Sequence, residues 1–401
     1  MANLQSRSHI SPDSQTPITL HPLFNPKILA HTPPEALREE ITPPRDRAHF
    51  ADPEKKSLFS VAKRVDLTES IGTVLEGVQI SRLSGQQLDE LAALVTERGV
   101  VFFRGQDLDT QGQVKVFEHF GILDRHPAQK YVNIHGSRED HREILKYTPW
   151  PSGDFHADTS FEINPPSYSL LRMEEHPEVG GDTAWVSQYG LYDALSDPYK
   201  KFLDGLHAVH TSRLQYDTII DLWGVGPNRP PIDTHHPAVR THPVTGLKAL
   251  NVNPGFVTGL AELKKVESDK TLDFLAYHIH SADDHAVRWK WEVGSVAMWD
   301  NRCTLHRVIP GTYEGKRRGI RTTVFGEKRK SPAIFQSTYS PQSSGSNKQT
   351  RPSVANAGSY FDPASESRNE RARRLREEST SKGQGNVTVA AAQTGKIETP
   401  A

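Results

Sequence analysis

Two stretches, 153-GDFHADTSFEINPPSYSLL-171 and 295-SVAMWDNRCTLHRVIPG-311, decide how this chain is read. The first contains His156-Ala157-Asp158. On a strand, residues two apart project to the same side, so an imidazole and a carboxylate can approach one point together. The second supplies His306, just after a strand-like run and 150 positions on (306 − 156). Two histidines and one carboxylate on one face of a metal make the arrangement that suits non-haem Fe(II) and leaves three adjacent positions open. A chelating 2-oxo acid fills two of them, and dioxygen takes the third.

A 2-oxo acid with a distal carboxylate needs a cation to hold it. Arginine suits the task because its planar fork matches a carboxylate. Arg317 and Arg321 lie 11 and 15 positions after His306 in 316-KRRGIRTTVFG-326. The chain can leave the metal, turn through Pro310-Gly311 and return on the next strand. Thr183, in 180-GGDTAW-185, offers a hydroxyl to the same carboxylate. Each piece alone is weak, since His-x-Asp triplets and single arginines are common. The order His-x-Asp, GGDT, WDNRxxxH, RxxxR is specific. A zinc hydrolase could also use two histidines and a carboxylate, but it leaves the arginines and GGDT without a task. A non-catalytic binding module would be expected to have lost a ligand, and all three are present.

Around these motifs the chain organises itself plainly. Of 401 residues, 35% are apolar and 24% charged, lean for a fully packed chain of this length. Residues 1–61, rich in Pro, Ser, Thr and His, read as an extended or partly disordered arm. Residues 331–401 read as a low-complexity tail, with a charged run from Glu366 to Glu378. The middle, 62–330, reads as one domain. Apolar residues at helical spacing predict a helix over Leu83 to Arg98, with Ser84 as N-cap and Gly99 as terminator. GVVFF then reads as a buried strand, and short strand-like runs recur at Tyr168 to Met173, Thr183 to Val186, Leu206 to His210, Lys248 to Val252, Val293 to Trp299 and Ile320 to Phe325. Pro254 to Arg288 reads as helical. The sum is a mainly β fold with covering helices, a barrel or jelly roll.

The net charge of −1 supplies no basic face for nucleic acid. No apolar stretch approaches the ~20 residues that span a bilayer. The single cysteine, Cys303, can build neither an internal disulfide nor a Cys-rich zinc site. Without an apolar segment of the secretory kind near the start, a cytoplasmic location is the expectation.

The ordered motifs resemble the taurine and aryloxyalkanoate dioxygenase family of Fe(II)/2-oxoglutarate oxygenases, over about residues 70–326. GVVFFRGQ at 99–106, FHAD, PPSYSLL, GGDTAW, HPVTGLKALNVNPGF at 242–256, MWDNRCTLH and RRGIRTTVFG carry the resemblance. Within the family the chain is most similar to fungal sulfonate and taurine dioxygenases. The resemblance implies a double-stranded β-helix, with Fe(II), 2-oxoglutarate and dioxygen as cofactor and co-substrates and a small molecule as primary substrate. Relatives often form dimers or tetramers, so a homo-oligomer is a further implication, though no interface is legible. It makes His156, Asp158 and His306 the iron ligands. Thr183 and Arg317 would hold the distal carboxylate of 2-oxoglutarate, with the adjacent Arg318 as the alternative to Arg317. Arg321 would lie beside them and take the anionic end of the primary substrate. His126 would meet a sulfonate, and Thr159 and Phe256 would face the substrate.

The departures fall on the substrate side. Phe155 stands where relatives have Trp, Thr159 where taurine users have an apolar residue, Gln129 where a tyrosine is expected and Ser152 where an asparagine is. Asp124 close to His126 is unusual beside an anion. Taurine itself is therefore in doubt. Trp299 is expected to pack in the barrel, Asp300 and Asn301 to support His306, and Cys303 to be unreactive.

Overall fold

The structure, a computed structural model, describes residues 41–124, the backbone of 133–136, and residues 153–216, 231–309, 311 and 313–327. The chain divides into two units, 1–347 and 348–401, and every described residue lies in the first. His126, Gln129, Ser152 and the expected tail fall outside the described residues.

Strict alternation builds the centre. A seven-stranded sheet runs in the order Lys63–Asp66, Thr73–Glu76, Val100–Phe103, Val296–Asp300, Pro166–Glu175, Arg318–Phe325, Asn133–Gly136. Its pairings are antiparallel except that of Thr73–Glu76 with Val100–Phe103. Along these strands alternate residues face opposite sides. Val101, Phe103, Tyr168, Leu170, Val296, Met298 and Val324 pack under the helix Gly85–Arg98. Val100, Phe102, Leu171, Met173, Ala297 and Trp299 turn the other way. They meet Trp185, Val287 and Trp289 of a three-stranded sheet ordered Ala286–Trp289, Thr183–Ser187, Thr304–Val308. The two sheets join through ring contacts, Phe102 to Trp289 at 4.2 Å and Trp185 to Trp299 at 5.7 Å between centroids. The outer face of the smaller sheet, through Ala184, Val186 and Leu305, packs against the helix Lys265–His280 and its neighbours. A second three-stranded sheet, Val257–Leu260, His207–Thr211, Asp233–Pro237, borders the site.

The helix Gly85–Arg98 begins as its sequence predicts. The Ser84 hydroxyl accepts from Gln87 N while the Gln87 side chain accepts from Ser84 N, a reciprocal cap. Gly99 ends it at φ 73°, and a Cβ there would sit 2.7 Å from Thr304, so only glycine lets the next strand start so close.

Two expectations change. Residues 41–61 of the expected arm are part of the packed body: Arg47–Phe50 forms a 3₁₀ turn and Lys56–Phe59 a short helix, and Ala48 and Leu58 are buried in the core. Sparse apolar residues hid this, because each is anchored singly and polar bonds do the rest. Leu58 N donates to Glu90 (2.6 Å), and Asp46 receives Arg302 (2.7 Å) and the Tyr168 hydroxyl (2.8 Å). Pro254 to Arg288 is not continuously helical. A strand, Val257–Leu260, precedes the helix Lys265–His280, and another, Ala286–Trp289, follows it. Four residues are too few for a period of two to stand out beside sixteen at helical spacing.

Candidate metal centre

His156 and His306 form an isolated antiparallel bridge at the edge of the smaller sheet. His156 N donates to His306 O at 3.0 Å, and His306 N donates to His156 O at 2.8 Å. Residues paired in this way across antiparallel chains show their side chains to one face. Their rings lie 4.5 Å apart. His156 Nδ1 is 2.7 Å from the Asp154 carbonyl, which can only accept. Nδ1 therefore carries the proton, and Nε2 is left with its lone pair for a metal. His306 follows the strand Val296–Asp300, as expected, and itself lies inside the next strand, Thr304–Val308, packed beside Trp299 and Trp185 at 4.9 and 6.2 Å between ring centroids. Gly255 permits the close approach of the 253–256 loop, since a Cβ there would stand 2.8 Å from the His156 Cβ. That approach brings the Phe256 ring to 5.4 Å from His156.

Asp158 reaches the same point by another route than strand alternation. After the bridge the chain enters a turn, with Thr159 at φ 35°. Asp158 Oδ1 ends 3.6 Å from His306 Nε2, and one donor atom from each of His156, Asp158 and His306 lies within 4.8 Å of the others. Asp158 Oδ2 accepts from the Ser169 hydroxyl at 2.7 Å, its N–H donates to Asn301 Oδ1 at 3.0 Å, and Arg321 Nη1 donates to Oδ1. Asn301 thus supports Asp158, not His306 as the sequence suggested. The WDNR turn lies next to both, and spacing cannot say which it reaches.

Electrostatics agree with a cation site. Burial by itself would raise the Asp158 pKa; Arg321, His306, His156 and the Ser169 hydroxyl outweigh it and hold the carboxyl below its usual range. Burial pulls His156 down, and pulls His306 down to about 3, though Asp158 opposes both. Both imidazoles are neutral, as metal ligands must be. Two neutral imidazoles and an ionised carboxylate, mutually within bonding reach of one ion, fit Fe(II).

These shifts have a measurable sign. In the unfolded chain histidine titrates near ~6.5, so below that pH the unfolded state takes up protons that the folded state refuses. The stability contributed by neutral His156 and His306 is present above ~6.5 and is lost as pH falls toward about 3. Thermal midpoints of metal-free protein are expected to fall steadily from pH 7 to pH 4. Midpoints unchanged across that window contradict the assignment.

A second group, His242, Asp300 and Cys303, also brings donor atoms within 4.8 Å. Its chemistry is already complete. Arg302 holds both Asp300 oxygens (2.9 and 2.7 Å) and His242 Nε2 lies 3.0 Å from Oδ2. Burial, with Asp300 nearby, pushes the Cys303 thiol well up, so it stays protonated and is a poor ligand. The group is a buried brace, which Arg302 extends to Asp46.

The arginines separate. Arg317 turns inward; its Nε donates to Gly181 O at 2.8 Å and its Nη2 to Thr183 Oγ1 at 3.1 Å, and Trp291 Nε1 also donates to that hydroxyl at 2.9 Å. Burial lowers its pKa, against Tyr313 and Asp182. Both of these bonds go to neutral acceptors. Arg318 faces outward toward Glu174 and Glu175. Arg321 instead donates to Asp158, on the turn after the His156 bridge. Thr159 and Phe256 are both buried beside the centre, and the Thr159 hydroxyl has no hydrogen-bond partner among the described residues. Ser169, missed in the sequence reading, was visible in principle: a serine at an inward position of an apolar strand must have a buried partner.

Comparison with known proteins agrees with this geometry. An alpha-ketoglutarate-dependent sulfonate dioxygenase of Saccharomyces cerevisiae is 37% identical over 254 residues, covering 61% of each chain. The alpha-ketoglutarate-dependent dioxygenase cnsM of Penicillium expansum is 37% identical over 290 residues, 68% of this chain and 80% of that one. The crystal structure of a taurine dioxygenase from Burkholderia xenovorans matches with a TM-score of 0.56 and 31% identity, over 66% of this chain and 91% of that one. The profile of the family described as taurine catabolism dioxygenase TauD, TfdA matches residues 63–323. With its motifs in order and its donors gathered at one point, the chain belongs to the taurine catabolism dioxygenase TauD, TfdA family and is an enzyme of that dioxygenase class.

Proposed function

We propose that this chain is an Fe(II)- and 2-oxoglutarate-dependent dioxygenase that hydroxylates a small alkyl sulfonate at the carbon bearing the sulfonate. The carrying observation is the convergence of His156, Asp158 and His306 within 4.8 Å, beside two inward arginines. The sulfonate is suggested by the similarity to the sulfonate dioxygenase of Saccharomyces cerevisiae and the taurine dioxygenase of Burkholderia xenovorans. The fold we assign is the double-stranded β-helix, supported by two facing sheets with helices outside. We assign the catalytic domain to about residues 62–330, with 41–61 as a packed lead-in.

Bound Fe(II), with 2-oxoglutarate and dioxygen, supplies oxidative decarboxylation coupled to C–H hydroxylation. The chain's own residues do the rest. His156, Asp158 and His306 hold the metal from one side. Arg317, with its plane fixed by Gly181 and Thr183, grips the distal carboxylate of 2-oxoglutarate. Arg321 takes the anionic end of the substrate close to the metal, and Phe256 and Thr159 bound the space. Trp185, Trp299 and Phe256 keep water out. The balance is sulfonate plus 2-oxoglutarate plus dioxygen to aldehyde, sulfite, succinate and carbon dioxide.

The test is a screen of alkyl sulfonates that follows succinate and sulfite together. Equal amounts of both are expected with at least one sulfonate. Succinate without sulfite, seen only with a non-sulfonate, keeps the oxygenase and removes this substrate class. On the accepted substrate, Arg321→Leu is expected to raise KM about 30-fold, the loss of one charge-assisted contact of roughly 2 kcal/mol. An unchanged KM removes Arg321 from the substrate site.

A further inference from the structure

Asp158 is the least constrained member of the triad by backbone, because it sits on a turn after the bridge rather than on a strand. Something else must aim it. Its Oδ2 meets the Ser169 hydroxyl at 2.7 Å. A hydroxyl has one proton, and which way that proton points depends on its other neighbours. Ser169 Oγ also receives Asn301 Nδ2 at 2.8 Å. The Asn301 amide cannot be turned around. Its Oδ1 faces two groups that can only donate, the Asp158 N–H at 3.0 Å and Trp299 Nε1 at 3.0 Å. Its Nδ2 faces the Ser167 carbonyl at 3.2 Å and Ser169 Oγ. With the amide fixed, Ser169 must accept from Asn301 and give its single proton to Asp158. The other carboxylate oxygen, Oδ1, accepts from Arg321 Nη1 and is also the one beside His306 Nε2, at 3.6 Å.

We propose that Ser169, aimed by Asn301, is a positioning residue that holds Asp158 by one oxygen so that the other is presented to the metal. The inference rests on the reading of Asp158 as a metal ligand. Every group in the relay is buried: Ser169 is 0% exposed, Asp158 3% and Asn301 4%. Water cannot substitute for a missing partner there. Without the Ser169 hydroxyl the carboxylate is still held at Oδ1 by Arg321, but Oδ2 can swing about that contact until the metal orders it. Partners of this kind typically contribute 10- to 100-fold in metal affinity.

The experiment measures Mn(II) affinity of the full chain by the electron paramagnetic resonance of free Mn(II), without turnover. It compares Ser169→Ala with the natural chain, and Ser169→Thr with Ser169→Val, a pair of nearly equal shape that differs by the hydroxyl. Loss of the hydroxyl is expected to weaken Mn(II) binding about 10- to 100-fold in either comparison. General loss of packing would lower the melting temperatures of the Thr and Val variants alike, and would not separate their metal affinities. Either comparison decides the matter if the other's variants do not fold. Affinities equal within about twofold in folded protein overturn the proposal. Asp158→Ala is the control on the underlying reading: if it binds Mn(II) as tightly as the natural chain, the triad assignment has failed. If it does not, and the hydroxyl has no effect, only the Ser169 relay has failed.

Discussion

His306→Ala is expected to abolish succinate formation and to weaken metal binding beyond the ~100-fold that loss of an outer partner costs. The reason is geometric. His306 shares its backbone bridge with His156, and its Nε2 stands 3.6 Å from Asp158 Oδ1. Removing the imbalance of charge is not the issue, since the ring is neutral with its pKa held at about 3. What is lost is one of three donors, and two donors do not define a face. The strand should survive, because its pairing with Thr183–Ser187 uses backbone groups. Isothermal titration with Mn(II) and a succinate assay read the two effects, with thermal melting as the check on folding. A folded His306→Ala protein that retains natural Mn(II) affinity removes His306 from the ligand set.

The second large effect belongs to Arg317. Its guanidinium is buried and fixed by Gly181 O and Thr183 Oγ1, and we propose that it meets the distal carboxylate of 2-oxoglutarate. Arg317→Leu is expected to raise the dissociation constant for 2-oxoglutarate about 150-fold, from ~3 kcal/mol for leaving a buried anion without its partner. Metal affinity without 2-oxoglutarate should change little, because the Arg317 bonds to Gly181 O and Thr183 Oγ1 lie outside the triad. Arg317→Lys should recover only part of the loss, since an ammonium cannot reproduce the two-pronged contact. Arg318→Leu, on the outward face with Glu174 and Glu175, should leave 2-oxoglutarate binding unaltered. An Arg317→Leu protein that binds 2-oxoglutarate normally contradicts the role.

What the sequence reveals of this site depends on the range of the interaction. The strands around Val100, Leu171 and Arg321 are legible because alternation is local. The helix at Gly85–Arg98 is legible because its cap and its terminating glycine are local too. The triad could be named from motif order, but the path to it could not. His-Ala-Asp looks like strand and is a bridge followed by a turn, set by a pairing with His306 across 150 positions (306 − 156). Arg321 meets Asp158 across 163 positions, and nothing near either residue announces it. The choice between Arg317 and Arg318 is likewise hidden from spacing and turns on which side of the strand faces Gly181. The lead-in at 41–61 is illegible in the sequence because it is held by Asp46, Arg302 and Glu90 rather than by an apolar stripe. Cys303, expected to be unreactive, is buried with its thiol pKa raised.

The central claim is that His156, Asp158 and His306 hold one Fe(II) that binds 2-oxoglutarate beside Arg317. The most direct measurement is an anaerobic titration of the full chain with Fe(II) and 2-oxoglutarate, followed by visible absorption. The account predicts a charge-transfer band that saturates at one Fe(II) per chain, is absent without 2-oxoglutarate, and is absent in His306→Ala. Folded natural protein that shows no band with both present, or an undiminished band in His306→Ala, would contradict it.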